Sequence, residues 1–575
     1  MINFEQFESL DPEKQAEVFR QSPIKEKAEL LIRAHEPLGL VRGLSQEEFF
    51  LIAKEMDSEE RSEIIRFADL PQLCFYSDIE CWSKDRLNIK GFMSWLEILT
   101  LADDMKLLQW LVFGDYELVV AGFKMILQVI KAEREYATDE ILGDIPYFTL
   151  DDNYFIAVRE ENLESVRRAF EILFENHRGR YIGILEGILA EVDDQLEEEA
   201  YASRDRRLSE RGFPSPESAR MIYSPMTREE FHQYPKKFKA QDSASAFTEE
   251  ETNRHAPNYI ALWSKDRLFL DEVLVLLAKD NEYAFNEVRE ELAWLANKVI
   301  ACDGIDFSSE ERVKQGIERA RRFVNLGLEI LCDKDILAAA KILKEHWLET
   351  IFRLASGELH HLRTSAFQLV RTYWGGTKEE CLGFLDPPYD LMLRGLLKAI
   401  PEFYEPDPKQ EFLCRDFVSR EDLARAKRGL DQLFLIHDVI QKKLPGAMIM
   451  ISKSIQEQSE RKITLFVLLA QTFAWYVLKK KIQFKPLTMT EVMEFLEKGW
   501  RVQGLKYLLN IEMKEAYLAE MFTPEERALS TPIWSLAFEE MNEELGGIVR
   551  NTRNLDSNLI QGLIIRITEK KQKHG

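Results

Sequence analysis

The first 140 residues carry short runs of apolar and polar positions, each opened by a helix-start signal. Ser45 and Asp57 are each followed three residues later by a glutamate, a spacing at which cap and glutamate satisfy each other's backbone amides. Behind the first cap, apolar residues recur every three or four positions from Phe49 to Met56 and share one helix face. Helices of about 12 residues cannot bury such faces alone, so the pattern predicts a short-helix repeat domain over residues 1–140.

Longer runs of helical period follow, and then one stretch with the character of strand. Apolar periodicity predicts helices at 105–113 and 116–132. Between 145 and 158, two runs of β-branched and aromatic residues flank the Asp-Asp-Asn turn at 151–153, which predicts a small β-hairpin. Residues 141–225 are therefore predicted to form a β-hairpin followed by long helices.

A joint is predicted in the middle of the chain. Gly212 is expected to end a helix, because glycine takes the left-handed conformation of a helix C-cap without steric cost. Ser215 and Pro216 have the residue types favoured at an N-cap and at the first helical position. Residues 226–257 are polar and show no sustained period, which predicts a linker or a lid between two helical halves.

The second half, residues 258–575, is predicted to be a larger helical domain. Its pattern includes helices at 334–355 and 359–373, with Gly357 at the turn between them. The predicted fold class is therefore mainly α, with a multi-helical repeat-like N-terminal part, a larger helical C-terminal part and one small β-hairpin near 145–158.

The segment 463–478 is apolar except for Thr464, Gln471 and Thr472, and basic residues flank it. At a rise of about 1.5 Å per residue it covers about 24 Å, less than the hydrocarbon layer of about 30 Å. A helix that is apolar on all sides is also typical of the centre of a large soluble bundle. We therefore expect a buried core helix and no stable membrane insertion.

The formal net charge of −24 argues against a general nucleic-acid-binding protein, because such proteins need a basic surface to displace counterions. The same charge disfavours docking on anionic lipid. The six cysteines form no C-x-x-C pair, which favours reduced thiols. The first residues carry no apolar core or cleavage site of an export signal, so the sequence predicts an acidic cytoplasmic protein.

The cap-and-stripe units of the N-terminal part resemble the cytosolic helical-repeat domain of magnesium channels and, more loosely, flagellar motor-switch repeats. That resemblance implies stacked helices and carries no ligand residue across. Three other stretches resemble, in this order, those of an uncharacterised bacterial family of large helical proteins: 213–214 ahead of 219–223, 326–329, and 384–389. The family's function is unknown, so this resemblance implies a helical fold over most of the chain and no activity, cofactor or catalytic residue.

The sequence Asp-Pro-Pro-Tyr at 386–389 invites comparison with amino-methyltransferases. In those enzymes such a segment ends a strand and holds the target amino group, but they also need a glycine-rich cofactor loop after a first strand. The present chain contains no such loop, and the surroundings of 386–389 are helical in pattern. We therefore expect the two prolines to end one helix and to begin the next.

One cluster of histidines and carboxylates has the residue types of a metal site: His346, Glu349, Glu358, His360 and His361. If the chain turns back at Gly357, Glu349 and His361 are offset by about four residues, or about 6 Å along the helix axes. That distance is too long for one shared ion without slippage. The sequence therefore predicts a polar helix-hairpin tip and no metal, and His437 is expected to be a packed core histidine.

Two further motifs are incomplete. Residues 303–306 resemble the beginning of a calcium loop, but the ligand ladder is not completed, so a helix cap at Ser308 is the better interpretation. The Trp-Gly-Gly-Thr sequence at 374–377 is too short for a phosphate-binding loop. No cofactor is predicted from these segments.

Two functional hypotheses remain. The favoured one is a non-enzymatic scaffold or regulatory protein that presents helical grooves to a protein partner. The alternative is an enzyme of unrecognised type, with a pocket between the two helical halves and with unknown catalytic residues. The loop at 374–389 and the cluster of Glu349, His360 and His361 would be the first positions to test. The identity of the partner or substrate and the oligomeric state stay open.

Overall fold

The computed structural model describes residues 7, 10–22, 24–34, 36–83, 85–132, 147–158, 163–190, 193–237, 267–302, 310–373, 378–405, 414–447, 463–503, 506–548 and 560–566. They belong to two units, Met1–Ala355 and Ser356–Gly575. Helices predominate in both, and the few strands form short antiparallel pairs, so the predicted mainly α fold class is confirmed.

The first named elements of the first unit are short helices and one pair of short strands. These are α1 (Pro12–Gln21), α2 (Ile24–Arg33), α3 (Pro37–Arg42), α4 (Gln46–Glu55), α5 (Ser58–Ile65), α6 (Leu70–Glu80), β1 (Trp82–Ser83), β2 (Arg86–Leu87), α7 (Ile89–Ala102), α8 (Asp104–Phe113) and α9 (Tyr116–Ile126). Ser45 and Asp57 make the predicted capping boxes of α4 and α5. The stripe from Phe49 to Met56 is buried, as its period predicts.

The elements that follow are β3 (Leu127–Lys131), β4 (Tyr147–Thr149), β5 (Tyr154–Val158), α10 (Leu163–Asn176), α11 (Arg178–Ala190), α12 (Asp193–Glu210), α13 (Pro216–Ala219), a 3₁₀ turn (Arg220–Tyr223) and α14 (Arg228–Gln233). The first unit then continues with α15 (Phe269–Asp280), α16 (Glu282–Cys302), α17 (Glu310–Cys332), α18 (Ile336–Glu345) and the start of α19 (Leu348–Gln368).

The predicted hairpin is present as β4 and β5, but the sheet has a third strand. β3 pairs with β5 in antiparallel register, which gives the order β3-β5-β4. The sequence prediction of a helix over 116–132 is therefore wrong beyond Ile126. Leu127 and Val129 are buried in alternation opposite Val158 and Ile156, so packing across the sheet decides the conformation of this segment.

The second unit contains α20 (Lys378–Phe384), α21 (Tyr389–Leu396), β6 (Glu402–Tyr404), β7 (Cys414–Asp416), α22 (Arg420–Lys443), α23 (Leu465–Lys479), α24 (Met489–Gly499), β8 (Trp500–Gln503), β9 (Lys506–Leu509), α25 (Ile511–Met521) and α26 (Pro524–Ile548), after a π turn (Leu369–Tyr373) that follows α19. The pairs β1–β2, β6–β7 and β8–β9 are hairpins that the sequence analysis missed. Strands of two to four residues are too short to show an alternating pattern.

Helix α23 is the predicted core helix of the segment 463–478. It packs against α24, α25 and α26, and most of its side chains are buried. The three polar residues that interrupt the apolar segment, Thr464, Gln471 and Thr472, all have hydrogen-bond partners. Thr464 caps the helix, Gln471 accepts from the Ile564 amide at 2.9 Å, and Thr472 bonds to the Tyr517 hydroxyl at 2.7 Å. Within the residues that the structure describes, no helix is long and apolar enough to cross a membrane.

The predicted end of a helix at Gly212 is confirmed. Gly212 has a φ of 84°, and a Cβ atom at this position would lie 2.9 Å from Cε3 of Trp294. Glycine is thus required both by the left-handed backbone and by the close approach of the ring. The Asn297 side chain donates to the Arg211 carbonyl at 3.1 Å and fixes the same contact. Pro216 begins α13, as predicted.

Part of the predicted linker, residues 226–237, is described and is ordered against the first unit. Thr227 and Glu230 form a capping box that opens α14. The Met226 amide donates to the Arg353 carbonyl at 3.3 Å, and the Lys237 amide donates to the Glu345 carbonyl at 2.9 Å. The remainder, 238–257, lies outside the described residues, so the choice between linker and lid stays a prediction.

The predicted helix hairpin at Gly357 is wrong. Helix α19 runs without interruption from Leu348 to Gln368, and Gly357 is buried inside it. The break occurs instead at His346, where α18 ends in an extended residue. A glycine costs a helix interior only about 1 kcal/mol, which the burial of neighbouring apolar residues easily offsets.

Candidate functional site

A cleft of about 500 Å³ opens in the first unit between α16 and the first turns of α19. Two tryptophans on its walls are half exposed, Trp294 at 45% and Trp347 at 46%. Most of the other lining residues are charged or polar: Tyr234, Glu287, Glu290, Glu291, Leu295, Lys298, Leu348, Glu349, Thr350 and Arg353. Exposed aromatic surface in a concave site with a few polar groups is a common feature of binding sites.

Helix α16 forms one wall because its polar residues fall on one face. Glu287, Glu291, Trp294 and Lys298 recur every three or four positions and turn toward the cleft. Residues on the other side of the helix are buried in the unit: Val288, Leu292, Ala296 and Val299. The amphipathic period of α16 therefore determines which side chains reach the site.

The other wall begins at Trp347, directly after the extended residue that ends α18. The Leu348 amide donates to Oε2 of Glu291 at 3.0 Å. Lys298 Nζ lies 2.6 Å from a carboxylate oxygen of Glu349. These two contacts join α16 to the start of α19 and hold the walls at a fixed separation.

A short segment, residues 228–237, crosses the end of α18, and we call it the strap. Its Phe231 is buried and stacks on the ring of His346, with centroids 4.5 Å apart and an angle of 26°. Lys236 Nζ lies 2.6 Å from a carboxylate oxygen of Glu345. The strap is thus attached by an aromatic stack and an ion pair, and it brings Tyr234 to the cleft.

The strap also inserts one cation among the cleft residues. Lys237 Nζ lies 5.3 Å from the ring centroid of Trp347. It forms an ion pair with Glu291, lies 3.9 Å from Glu287, and donates to the Leu343 carbonyl at 3.4 Å. Only 5% of the Lys237 side chain is exposed. We call this group of contacts the ammonium seat.

Burial shifts the pKa values of two titratable groups in and beside the cleft, Glu291 and His346. It raises the pKa of Glu291, against the opposite effect of the hydrogen bond from Lys237. It lowers the pKa of His346, and the neighbouring Lys236 adds to the effect. His346 is therefore neutral at pH 7, which suits its stack on Phe231.

The cleft contains aromatic rings and carboxylates, which are groups that can bind a cation. Tryptophan faces attract ammonium and guanidinium groups, and the carboxylates around them supply the opposite charge. The lining residues that the structure describes include no histidine, cysteine or serine, and the Thr350 hydroxyl is already bonded to the Trp347 carbonyl at 2.7 Å. The lining therefore lacks the paired nucleophile and base of acyl-transfer enzymes.

The histidines and carboxylates that the sequence analysis considered as a candidate metal site are not brought together. Glu349 lines the cleft and pairs with Lys298, whereas His346 lies under the strap. His360 and His361 are exposed on the continuous helix α19, about 17–18 Å along its axis from Glu349. Among the described residues, no group of three or more histidines, cysteines or carboxylates has the geometry to hold a metal ion.

The remaining sequence motifs have structural roles or lie outside the described residues. Helix α20 ends at Phe384 and α21 begins at Tyr389, so the prediction for 386–389 is confirmed. His437 is buried in α22, also as predicted. The predictions for 303–309 and 374–377 fall on residues that the structure does not describe.

Asp386 caps the core helix of the second unit. Its Oδ2 accepts a hydrogen bond from the Phe466 amide, in the first turn of α23, at 2.8 Å. Burial nevertheless raises the pKa of Asp386 to about 6. The folded state therefore binds this proton more tightly than the unfolded state does. The resulting stabilisation is complete below the ordinary pKa of 3.8 and is lost as the pH rises through about 6.

We expect Asp386→Asn to reduce the pH dependence of unfolding, because the neutral amide oxygen still accepts the Phe466 amide proton. Urea midpoints followed by circular dichroism at pH 5 and pH 7.5 measure this. Wild type should lose stability between the two values, and the variant should lose less. Asp431→Asn, at an exposed position of α22, is the control. Equal losses in wild type and Asp386→Asn would contradict the prediction.

Comparison with known proteins extends the sequence-level resemblance. A family model described as a family of unknown function (DUF6178) matches residues 5–566. The chain belongs to the DUF6178 family. No curated protein and no solved structure matches it. Membership of DUF6178 confirms the predicted relation to an uncharacterised family, and the likeness to magnesium-channel repeats is not confirmed.

The sequence analysis of this DUF6178 member missed the cleft. Trp294 could have indicated a binding surface, because it lies on the charged face of a helical pattern, where a large aromatic residue is unusual. The sequence around Trp347 and Tyr234 contains no such indication, because the exposure of these two side chains depends on the path of the chain in the folded structure. Trp294 and Trp347 are 53 positions apart in sequence, and only the packing of α16 beside α19 brings them to one cleft.

Proposed function

We propose that this protein is a cytoplasmic, non-enzymatic scaffold or regulatory protein that receives a basic segment of a protein partner in the cleft. The observation that carries the proposal is the pair of half-exposed tryptophans ringed by four glutamates. Tryptophan and tyrosine are the residues that most often contribute large binding energies at protein interfaces. A carboxylate rim around them selects a partner of positive charge.

The charge of the cleft supports a cationic partner. Glu287, Glu290, Glu291 and Glu349 outnumber Lys298 and Arg353. Arg353 is engaged with the Ser224 carbonyl at 3.2 Å, and Lys298 with Glu349. Both basic residues are therefore occupied by contacts within the chain, whereas 45% of the Trp294 surface is exposed. A lysine or arginine side chain from a partner can lie on that surface with its charge near a carboxylate.

Direct binding of a labelled peptide tests the proposal. A fluorescein-labelled peptide of alternating glycine and lysine should bind saturably in fluorescence anisotropy, and one of alternating glycine and glutamate should not. Trp294→Ala should weaken binding about tenfold, or about 1.4 kcal/mol, because it removes a ring over which the cation lies. Raising the salt concentration should weaken binding further.

Two matched variants make the result specific. Glu290→Gln removes one charge of the cleft and preserves its shape, so it should weaken binding without changing the circular dichroism spectrum. Phe113→Ala removes an aromatic ring that is 70% exposed outside the cleft and should leave binding unchanged. Equal affinity for the basic and acidic peptides, or equal losses in Trp294→Ala and Phe113→Ala, would refute the proposal.

A further inference from the structure

We infer that Lys237 is an internal occupant of the cleft and that the group it excludes is a primary ammonium, such as the side chain of a lysine in the partner. The inference rests on the proposed function and adds to it the class of ligand and its control by the strap. It is carried by the ammonium seat, in which a cation of the chain itself contacts three residues of the cleft, Trp347, Glu287 and Glu291.

The seat and the cleft share their essential groups. Trp347, Glu287 and Glu291 line the cleft, and all three also contact the ammonium of Lys237. Two cations cannot occupy this position together, because they would repel each other beside a shared carboxylate. A ligand cation that reaches Glu291 must therefore displace Lys237, and the strap then regulates access to the cleft.

The geometry of the seat favours an ammonium over a guanidinium. An ammonium carries three donors arranged around one point, and here they meet a carboxylate, a carbonyl and a ring face, from Glu291, Leu343 and Trp347. A guanidinium is planar and carries five donors, so it needs acceptors in one plane for its full set of hydrogen bonds. The arrangement of acceptors in the seat therefore fits the compact charge of an ammonium better than the planar charge of a guanidinium.

Displacement does not require the whole strap to leave. Phe231 stays stacked on His346, and Lys236 stays paired with Glu345, because neither contact involves Lys237. Rotation of the Lys237 side chain alone empties the seat. The cost of this rotation lowers the apparent affinity for the ligand, as in any protein whose competent state is a minor population.

Replacing Lys237 tests the inference. Lys237→Ala removes three carbons and the ammonium, so n-propylammonium has the size and charge to refill the seat. It should bind this variant saturably and raise its melting temperature, and it should do neither with wild type. Equimolar 1-propanol and n-propylguanidinium should have smaller effects. The glycine–lysine peptide should bind Lys237→Ala about tenfold more tightly than wild type, because no internal cation competes.

An exposed lysine outside the cleft and the strap provides the control. Lys279→Ala removes such a cation from α15 and should leave both titrations at their wild-type values. Lys237→Met removes the charge, keeps an aliphatic chain on Trp347, and should also bind the peptide more tightly. If circular dichroism shows that Lys237→Ala is poorly folded, the peptide affinity of Lys237→Met is compared with wild type instead.

The outcomes separate the inference from the proposed function. If the peptide binds wild type, Lys237→Ala and Lys237→Met equally, the inference is overturned and the proposed function stands. If the peptide binds none of these proteins, the proposed function fails. The titration with n-propylammonium then tests separately whether the seat binds a primary ammonium. Saturable binding of n-propylammonium by folded Lys237→Ala but not by wild type supports the seat, and its absence refutes it.

Discussion

Protein carrying Leu469→Asp is expected to accumulate in the insoluble fraction or to be degraded rapidly by added protease. Leu469 is 1% exposed near the middle of α23, the helix around which α24, α25 and α26 pack. Full burial of a leucine contributes about 1.5–3 kcal/mol, and an unpaired buried carboxylate costs several kcal/mol more. The sum, about 5 kcal/mol or more, is comparable to the total stability of many domains.

One turn further along α23 the core is aromatic. Nearby Phe473 makes edge-on contacts with Phe495, Tyr517 and Phe538, with ring centroids 5.1–6.0 Å apart. Centrifugation of cell extracts, followed by urea unfolding of whatever protein stays in the supernatant, measures the effect. Leu337→Asp introduces the same change at a leucine that is 74% exposed and should behave as wild type. Equal recovery of folded protein from the two variants would contradict the prediction.

The second large effect is expected for Arg207→Ala, which should reduce the free energy of unfolding of the first unit by about 3–5 kcal/mol. Arg207 donates to both carboxylate oxygens of Asp78, at 2.6 Å and 2.9 Å, and also forms an ion pair with Asp115. The side chains of the two aspartates are 4% and 5% exposed. Removal of the guanidinium leaves two buried carboxylates without this cation, and it removes ion pairs that join α12 to α6 and to the N-cap of α9.

Two variants identify the cause of that loss. Arg206→Ala removes the adjacent arginine, whose side chain is exposed, and should change the urea midpoint little. The triple variant Asp78→Asn, Asp115→Asn and Arg207→Met carries no charge at these positions. It should be more stable than Arg207→Ala, because uncompensated charge is the larger part of the cost. A triple variant as unstable as Arg207→Ala would show that lost packing, and not unpaired charge, dominates.

Local signals in the sequence determined much of the helical framework. The capping boxes at Ser45 and Asp57, the helix end at Gly212 and the start of α13 at Pro216 all lie where residue types predict them. The capping boxes, the left-handed backbone of Gly212 and the helix start at Pro216 each depend on residues within four positions, so neighbouring residues suffice to specify them. The same holds for the apolar period of 463–478, which predicted a helix buried on all sides.

Where local preference is weak, the tertiary structure decided the outcome. Leu127 begins a strand because β5 lies beside it, and Gly357 stays helical because the surrounding side chains bury it. Both segments have sequences compatible with another conformation, with free energies that differ by about 1 kcal/mol per residue or less. Burial of apolar area outweighs differences of that size.

The candidate site depends still more on tertiary structure. Trp294, Trp347 and Lys237 belong to three separate elements, and no short-range pattern relates them. The sequence by itself determined that α16 has a polar face and that the chain is helical and acidic. Only the packing of α16, α19 and the strap put two exposed rings, a ring of carboxylates and an internal ammonium in one place. A binding site of this kind is a property of distances between elements, and a local sequence pattern carries no information about those distances.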